Sequence, residues 1–191
     1  MPVAPIRIAA LGCRELAEEV DRKLVKFRNE LVERKQLSVI PQGYSEKSFI
    51  VECECPRFGT GEGKGYIKES VRGTDLYIMV DVTNYSESYT VCGHENHMSP
   101  DNHFQDLKRI ISAATGKAHR INVIMPFLYE GRQHRRTKRE SLDCALALKE
   151  LSDMGVSNII TFDAHDPRVQ NSIPLNGFDN FFPTYQFFKK L

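Results

Sequence analysis

Tryptophan is absent from this 191-residue chain. So is any apolar run approaching about 18 residues, which excludes a membrane-spanning helix. The opening Met1-Pro2-Val3-Ala4-Pro5 lacks a basic stretch followed by a long apolar one, so no secretory signal is expected. Neither sign of charge is in surplus. The 26 Lys and Arg offset 25 Asp and Glu for a formal charge of +1, which argues against a bulk nucleic-acid binder. The cysteines are five and scattered. An odd, dispersed set is simplest as reduced thiols, and a cytoplasmic location is expected. No internal repeat or low-complexity tract is visible.

What the chain does have is alternating strand and helix signals over a 41% hydrophobic composition. Ile6 to Leu11 reads as a buried strand with a sharp exit at Gly12. Arg14 to about Lys35 carries Leu16, Val20, Leu24 and Phe27 at helical spacing. Pro41 to Ser45 reads as a loop. Ser48 to Glu54 alternates, predicting a half-buried strand with Phe49, Val51, Cys53 and Cys55 on one face. Gly59, Gly61, Gly63 and Gly65 make Arg57 to Gly65 a loop or hairpin tip. Leu76 to Val80 is the continuous apolar run of a strand buried on both faces. Asn84 to Asn102 reads as polar and irregular. Ser99 and Pro100 open a helix to about Ala114, Ile121 to Met125 is a strand, and Ser141 to Met154 is a helix stopped by Gly155. Asn158 to Asp163 is another strand. A Phe-rich segment ends the chain, with Phe181 to Leu191 reading as a helix that leads onward. This order predicts an α/β fold, a mostly parallel sheet with helices on both faces.

Arg132-Gln133-His134-Arg135-Arg136-Thr137-Lys138-Arg139-Glu140 carries most of the chemistry. Five cations in eight residues repel one another unless an anion sits among them. A polyphosphate suits them, because guanidinium groups match phosphate oxygens bidentately. The strands before Pro126 and Asp163 are consecutive in one βαβ unit, so their exits should open onto the same edge. That would bring the Arg132 loop near Asp163 and His165, which read as metal ligands or acid/base groups. No G-x-x-x-x-G-K-[ST] loop occurs, so any nucleotide is held another way.

Three segments then resemble one family, the ribose-phosphate diphosphokinases (phosphoribosyl pyrophosphate synthetases). Arg57-Phe58-Gly59-Thr60-Gly61-Glu62 with Glu69-Ser70-Val71-Arg72-Gly73-Thr74-Asp75 is similar to the family's F-x-[DN]-x-E hairpin and E-S-V-R-G-x-D strand. Pro126 to Arg135 resembles P-Y-x-x-Y-A-R-Q-D-[RK], and Asp163-Ala164-His165 resembles D-L-H. The resemblance covers roughly Arg57 to Asn180. It implies a phosphoribosyltransferase-like half of a two-domain protein, with 1–180 as the ATP-binding and oligomerisation domain and 181–191 leading to a second domain. The implied reaction moves the diphosphoryl group of ATP to the 1-hydroxyl of ribose 5-phosphate, releasing AMP. By resemblance Arg132 and Arg135 would contact ATP phosphates and Gln133 the nucleotide. His165, supported by Asp163, would serve magnesium–ATP as the metal residue. Phe58 and Glu62 would reach a neighbouring subunit's adenine in a homo-oligomer. No nucleic-acid or membrane partner is expected.

Departures from the pattern stand beside it. Thr60 replaces Asp or Asn, Thr137 replaces an Asp, and the residues from Asp166 on differ. The family's second α/β domain, with its pentose-phosphate loop, is not in this sequence, so a fragment is the expected explanation and activity of this segment alone is not. The competing reading is a non-catalytic diphosphokinase-like regulatory or scaffold subunit. His94-Glu95-Asn96-His97 shows half a metal site and no third ligand. Cys53 and Cys55 read as buried thiols rather than a metal pair.

Overall fold

A computed structural model describes residues 4–35 and 46–190. The loop expected at Pro41 to Ser45 lies outside them. The elements in chain order are β1 (Ile6–Leu11), α1 (Arg14–Lys35), β2 (Cys53–Glu54), β3 (Tyr66–Ile67), β4 (Asp75–Val80), β5 (Ser88–Val91) and β6 (His94–His97). They continue with α2 (Pro100–Ala114), β7 (Arg120–Ile124), α3 (Asp143–Asp153), β8 (Val156–Phe162), a 3-10 helix (Pro167–Ser172), β9 (Gly177–Phe181) and α4 (Thr184–Lys190).

Five strands form one sheet in the order β1-β4-β7-β8-β9, every neighbouring pair parallel. The α/β class and parallel sheet are as expected. Ile50 adds a parallel bridge to Ile8 on the outer side of β1, closed by Ile8 N–H to Phe49 O and Val51 N–H to Ile8 O, both 2.8 Å. The chain therefore leaves β1 toward one side of the sheet and returns through β4 on the other. The two excursions pack on opposite faces. Ala17, with Val20, Leu24 and Val25 of α1, covers Ile8 and Met79. On the opposite face, Phe104, Leu107, Ile110 and Ile111 of α2 and Cys144, Leu148 and Leu151 of α3 meet Leu76, Ile78, Val80 and Val123. Within β4, alternation sends Leu76, Ile78 and Val80 to one core and Met79 to the other, so both faces are buried.

The boundaries of α2 follow from local chemistry. Ser99 has extended backbone, and its hydroxyl accepts from Asn102 N–H at 3.2 Å; Pro100 follows with no amide hydrogen to lose. The expected helix at Ser141 begins instead at Asp143, because the Gln133 side chain donates to Ser141 O at 2.8 Å and holds that residue outside the helix.

Three expectations are corrected. Asn84 to Asn102 is not irregular: β5 and β6 pair as an antiparallel hairpin around Cys92 and Gly93, with φ of 51° and 80°. Both central residues lie in the left-handed region that a tight two-residue hairpin turn demands. Ser48 to Glu54 is not one strand. Its first part bridges to β1 and its last pairs with β3, because Asp21 accepts from Phe49 N–H at 2.7 Å and Ser48 Oγ at 2.9 Å and draws the chain onto α1. Phe49 accordingly joins the α1-side core, while Val51, Cys53 and Cys55 join the other. Finally, Gly177–Phe181 is an edge strand, so the terminal helix starts at Thr184 rather than Phe181.

Candidate functional site

All five sheet strands run the same way, so their carboxyl ends share one rim. The loops after β7 and β8 meet there. The β7 loop is anchored from beneath: Leu128 is buried, and Tyr129 stacks on Phe104 at 4.3 Å and donates its hydroxyl to Asp101 at 2.7 Å. Burial, with the Asp101 carboxylate beside it, pushes the Tyr129 phenol well above its usual range. Glu130 turns the backbone with φ of 55°, and Gln133 N–H donates to Glu130 O at 2.8 Å. Burial, with Asp143 and Asp101 nearby, raises the Glu130 carboxyl above its usual range.

That turn delivers Arg132 to the surface, its guanidinium 5.8 Å from the centre of the Phe127 ring. Arg135, Arg136, Lys138 and Arg139 are also exposed. Among the described residues none of these five cations forms an ion pair. Gln133 packs within the same loop. Its amide nitrogen is engaged by Ser141 O at 2.8 Å and Arg135 O at 3.3 Å, so it closes the loop on itself.

The β8 loop leaves the sheet through Asp163, whose φ is 50°. Its N–H donates to Phe181 O at 2.9 Å, and Ala164 N–H donates to Asn180 Oδ1 at 3.0 Å. Asp163 and His165 are exposed, flanking buried Ala164. Asp166 is buried and caps the 3-10 helix, accepting from Arg168 N–H at 2.9 Å and from its guanidinium at 2.6 Å. The Arg168 guanidinium, first among the causes, holds the Asp166 carboxyl well below the usual carboxylate range.

His134 joins the two loops. Its ring lies 5.2 Å from that of His165, tilted by 55°; its Nδ1 is 3.1 Å from Arg132 O and its Nε2 3.5 Å from Asp166 Oδ2. The expected meeting of the Arg132 loop with His165 therefore occurs, with a bridging residue that the sequence reading did not single out. Its one signal was its place beside Arg132 in the loop.

Reading along the chain also missed a cleft of about 700 Å³ beyond β1, β4 and β7. Gly12, Cys13, Asp81, Thr83, Asn84 and Phe127 line it. It lies where the strand order reverses between β1 and β4, the position at which open parallel sheets take ligands. Phe127, the ring under Arg132, is one of its walls. Burial pushes the Cys13 thiol up to about 11, which disfavours the thiolate.

Phe58 and Glu62 sit away from this rim on the β2–β3 hairpin. Phe58 N–H donates to Glu62 O at 2.7 Å, and the Thr60 hydroxyl donates to Glu62 Oε2 at 2.8 Å. Thr60 thus orients the carboxylate that the resemblance singles out. Phe58 is 55% exposed. No hydrogen bond, ion pair or ring contact among the described residues joins Phe58 or Glu62 to Arg132 or His165. His94 and His97 fall on opposite faces of β6, and the described residues contain no group of three or more metal-ligating side chains. No helix of the described residues is long and apolar enough to cross a membrane.

Comparison with known proteins agrees with this layout. The solved phosphoribosylpyrophosphate synthetase of Mycobacterium smegmatis shares the fold with a TM-score of 0.69 at 20% identity, over 97% of this chain and 51% of that one. The ribose-phosphate pyrophosphokinase of Corynebacterium ammoniagenes is 30% identical over 129 residues, 65% of this chain and 36% of that protein. Ribose-phosphate pyrophosphokinase B of Dictyostelium discoideum is 30% identical over 115 residues, 60% of this chain and 31% of that protein. The chain thus spans about a third of the length of these curated relatives. Residues 8–155 match the family model for the N-terminal domain of ribose phosphate pyrophosphokinase, and to that family the chain belongs.

Proposed function

We propose that this chain supplies the ATP-gripping part of a ribose-phosphate diphosphokinase, which transfers the diphosphoryl group of ATP to the 1-hydroxyl of ribose 5-phosphate and releases AMP. The observation that carries this reading is the meeting of the Arg132 loop with exposed His165 through the His134 ring, with Arg132 exposed and in no ion pair among the described residues. Arg132 and Arg135 pair with phosphate oxygens, the bidentate contact for which a planar guanidinium is suited. Such a transfer requires positioning and charge neutralisation more than covalent help from the protein. The 5.8 Å stack on Phe127 limits the directions in which Arg132 can point.

The family implies magnesium, and the donors here fit it in one respect. Mg²⁺ is usually held by one or two carboxylates plus substrate phosphates rather than by a full protein cage. Asp163 offers an exposed carboxylate with no hydrogen-bond or ion-pair partner among the described residues, next to His165. Asp163 and His165 would hold the ion together with phosphate oxygens, and the ion would neutralise charge on the transferred group. Phe58 and Glu62, preset by Thr60 on an exposed hairpin, serve the adenine of a second copy within a homo-oligomer.

Calorimetry of this chain with ATP and magnesium tests the binding, and full-length protein with ATP and ribose 5-phosphate tests the transfer. Phosphorus NMR should show a diphosphate attached to the sugar and AMP in equal amounts. ATP hydrolysis without sugar diphosphate, or no ATP binding, would refute the proposal.

A further inference from the structure

We infer that His134 is a positioning residue: a staple between the β7 and β8 loops that sets the His165 ring relative to Arg132. This deepens the ATP-gripping proposal and rests on it for its consequence, though not for its geometry.

Arg132 and His165 are exposed, and neither is fixed by a hydrogen bond of its own side chain among the described residues. Free side chains of that length would have to be ordered when an anion binds, at a cost of about 0.5–1.5 kcal/mol for each long side chain immobilised. His134 differs from both, because its side chain is 14% exposed and touches both loops. Through Nδ1 it meets the backbone oxygen of Arg132 at 3.1 Å. Through Nε2 it faces Asp166 at 3.5 Å, and its ring packs against His165 with centres 5.2 Å apart.

Asp166 is itself immobilised. Arg168 grips both carboxylate oxygens, with Nη2 to Oδ2 at 2.6 Å and Nε to Oδ1 at 3.0 Å, and its backbone N–H donates to Oδ1 at 2.9 Å. A continuous set of contacts therefore runs from Arg132 through His134 to Asp166 and Arg168, with His165 leaning on its middle member. The backbone at Arg132 and the His165 ring are held relative to each other because the His134 ring lies against both. In this arrangement His134 acts through its neighbours and leaves the anion to them.

The test uses ¹⁵N-histidine-labelled full-length protein, with His165 ring signals read at one pH and without nucleotide. His134→Ala and Asp166→Asn should each shift the His165 ring signals, and His134→Gln, whose polar amide still extends toward Asp166, should restore them toward wild type. ATP affinity, measured separately, should fall about tenfold in His134→Ala and recover in His134→Gln. His165 signals that stay in place in both disrupting variants overturn the staple. A Gln variant that behaves like Ala also overturns it. Wild-type protein that fails to bind ATP while the ring signals shift as expected defeats the ATP reading and leaves the staple standing.

Discussion

Arg57 and Arg132 carry the same guanidinium in opposite surroundings. The Arg57 side chain is 6% exposed and donates twice to Asp106, each bond 2.8 Å, beneath the Tyr89 ring at 4.9 Å. Asp106 is equally buried and also receives Arg109 at 2.6 Å. Arg132 lies at the rim over one aromatic face and has no carboxylate among the described residues. The first arrangement ties the β2–β3 hairpin, α2 and the β5–β6 hairpin together and leaves no capacity for a ligand. The second keeps the full donor fork available. Pairing, more than the residue type, separates the arginine that holds the fold from the arginine that meets a ligand.

Substitutions at the two sites should therefore fail in different assays. Arg57→Ala leaves Asp106 buried with only Arg109, and should lower unfolding free energy by about 3 kcal/mol in chemical denaturation. A loss below about 1 kcal/mol would mean the buried pair contributes no more than a surface one. Arg132→Ala should leave stability within about 0.5 kcal/mol of wild type and weaken magnesium–ATP binding by about 1.5–3 kcal/mol in calorimetry. Arg132→Lys should also weaken it, since an ammonium lacks the planar fork. Unchanged ATP affinity in both variants would put the phosphates elsewhere.

Asp75 should give the smallest and most conditional effect. The Arg120 guanidinium first, and the His119 ring after it, hold this buried carboxyl below its usual range. Its pKa is lower folded than unfolded, so its contribution is complete above the ordinary Asp value of about 3.9 and fades as pH falls through the lowered folded value. Denaturation midpoints of wild type and Asp75→Asn, compared from pH 7 to pH 2, should differ most at neutral pH and converge in acid. A gap that stays constant would show that Asp75 remains ionised throughout or that its pairing adds nothing.

The four strands β1, β4, β7 and β8 were legible from sequence because each carries a core of apolar residues, whereas β9, Gly-Phe-Asp-Asn-Phe at the sheet edge, was not. Leu76 to Val80 and the Ser99-Pro100 cap needed no tertiary information. The β5–β6 hairpin was hidden because Ser88–Val91 alternates over only four residues and His94–His97 is polar throughout, so neither stands out as a strand; only Cys92-Gly93 betrays the turn. Ser48 to Glu54 misled because one stretch with strand-like alternation serves two different sheets. At the site, Arg132 and His165 could be placed on a common rim by topology alone. The engagement of Gln133 with Ser141, and the position of His134 between the loops, depend on loop geometry that spacing does not encode. The cleft between β1 and β4 was out of reach for the same reason: it follows from Ile50 lying on the far side of β1.

The order β1-β4-β7-β8-β9 is also the order in which these strands leave the ribosome. After the early detour through α1 and Ile50, each new strand pairs with the sheet strand made before it, across a crossover that carries a helix. Each parallel pairing must still close a crossover loop before its contacts form, which slows assembly relative to a fold of local contacts. Growth at one advancing edge leaves the exposed edge of the moment waiting only for the next segment to be translated, which shortens the time available for pairing with a foreign chain.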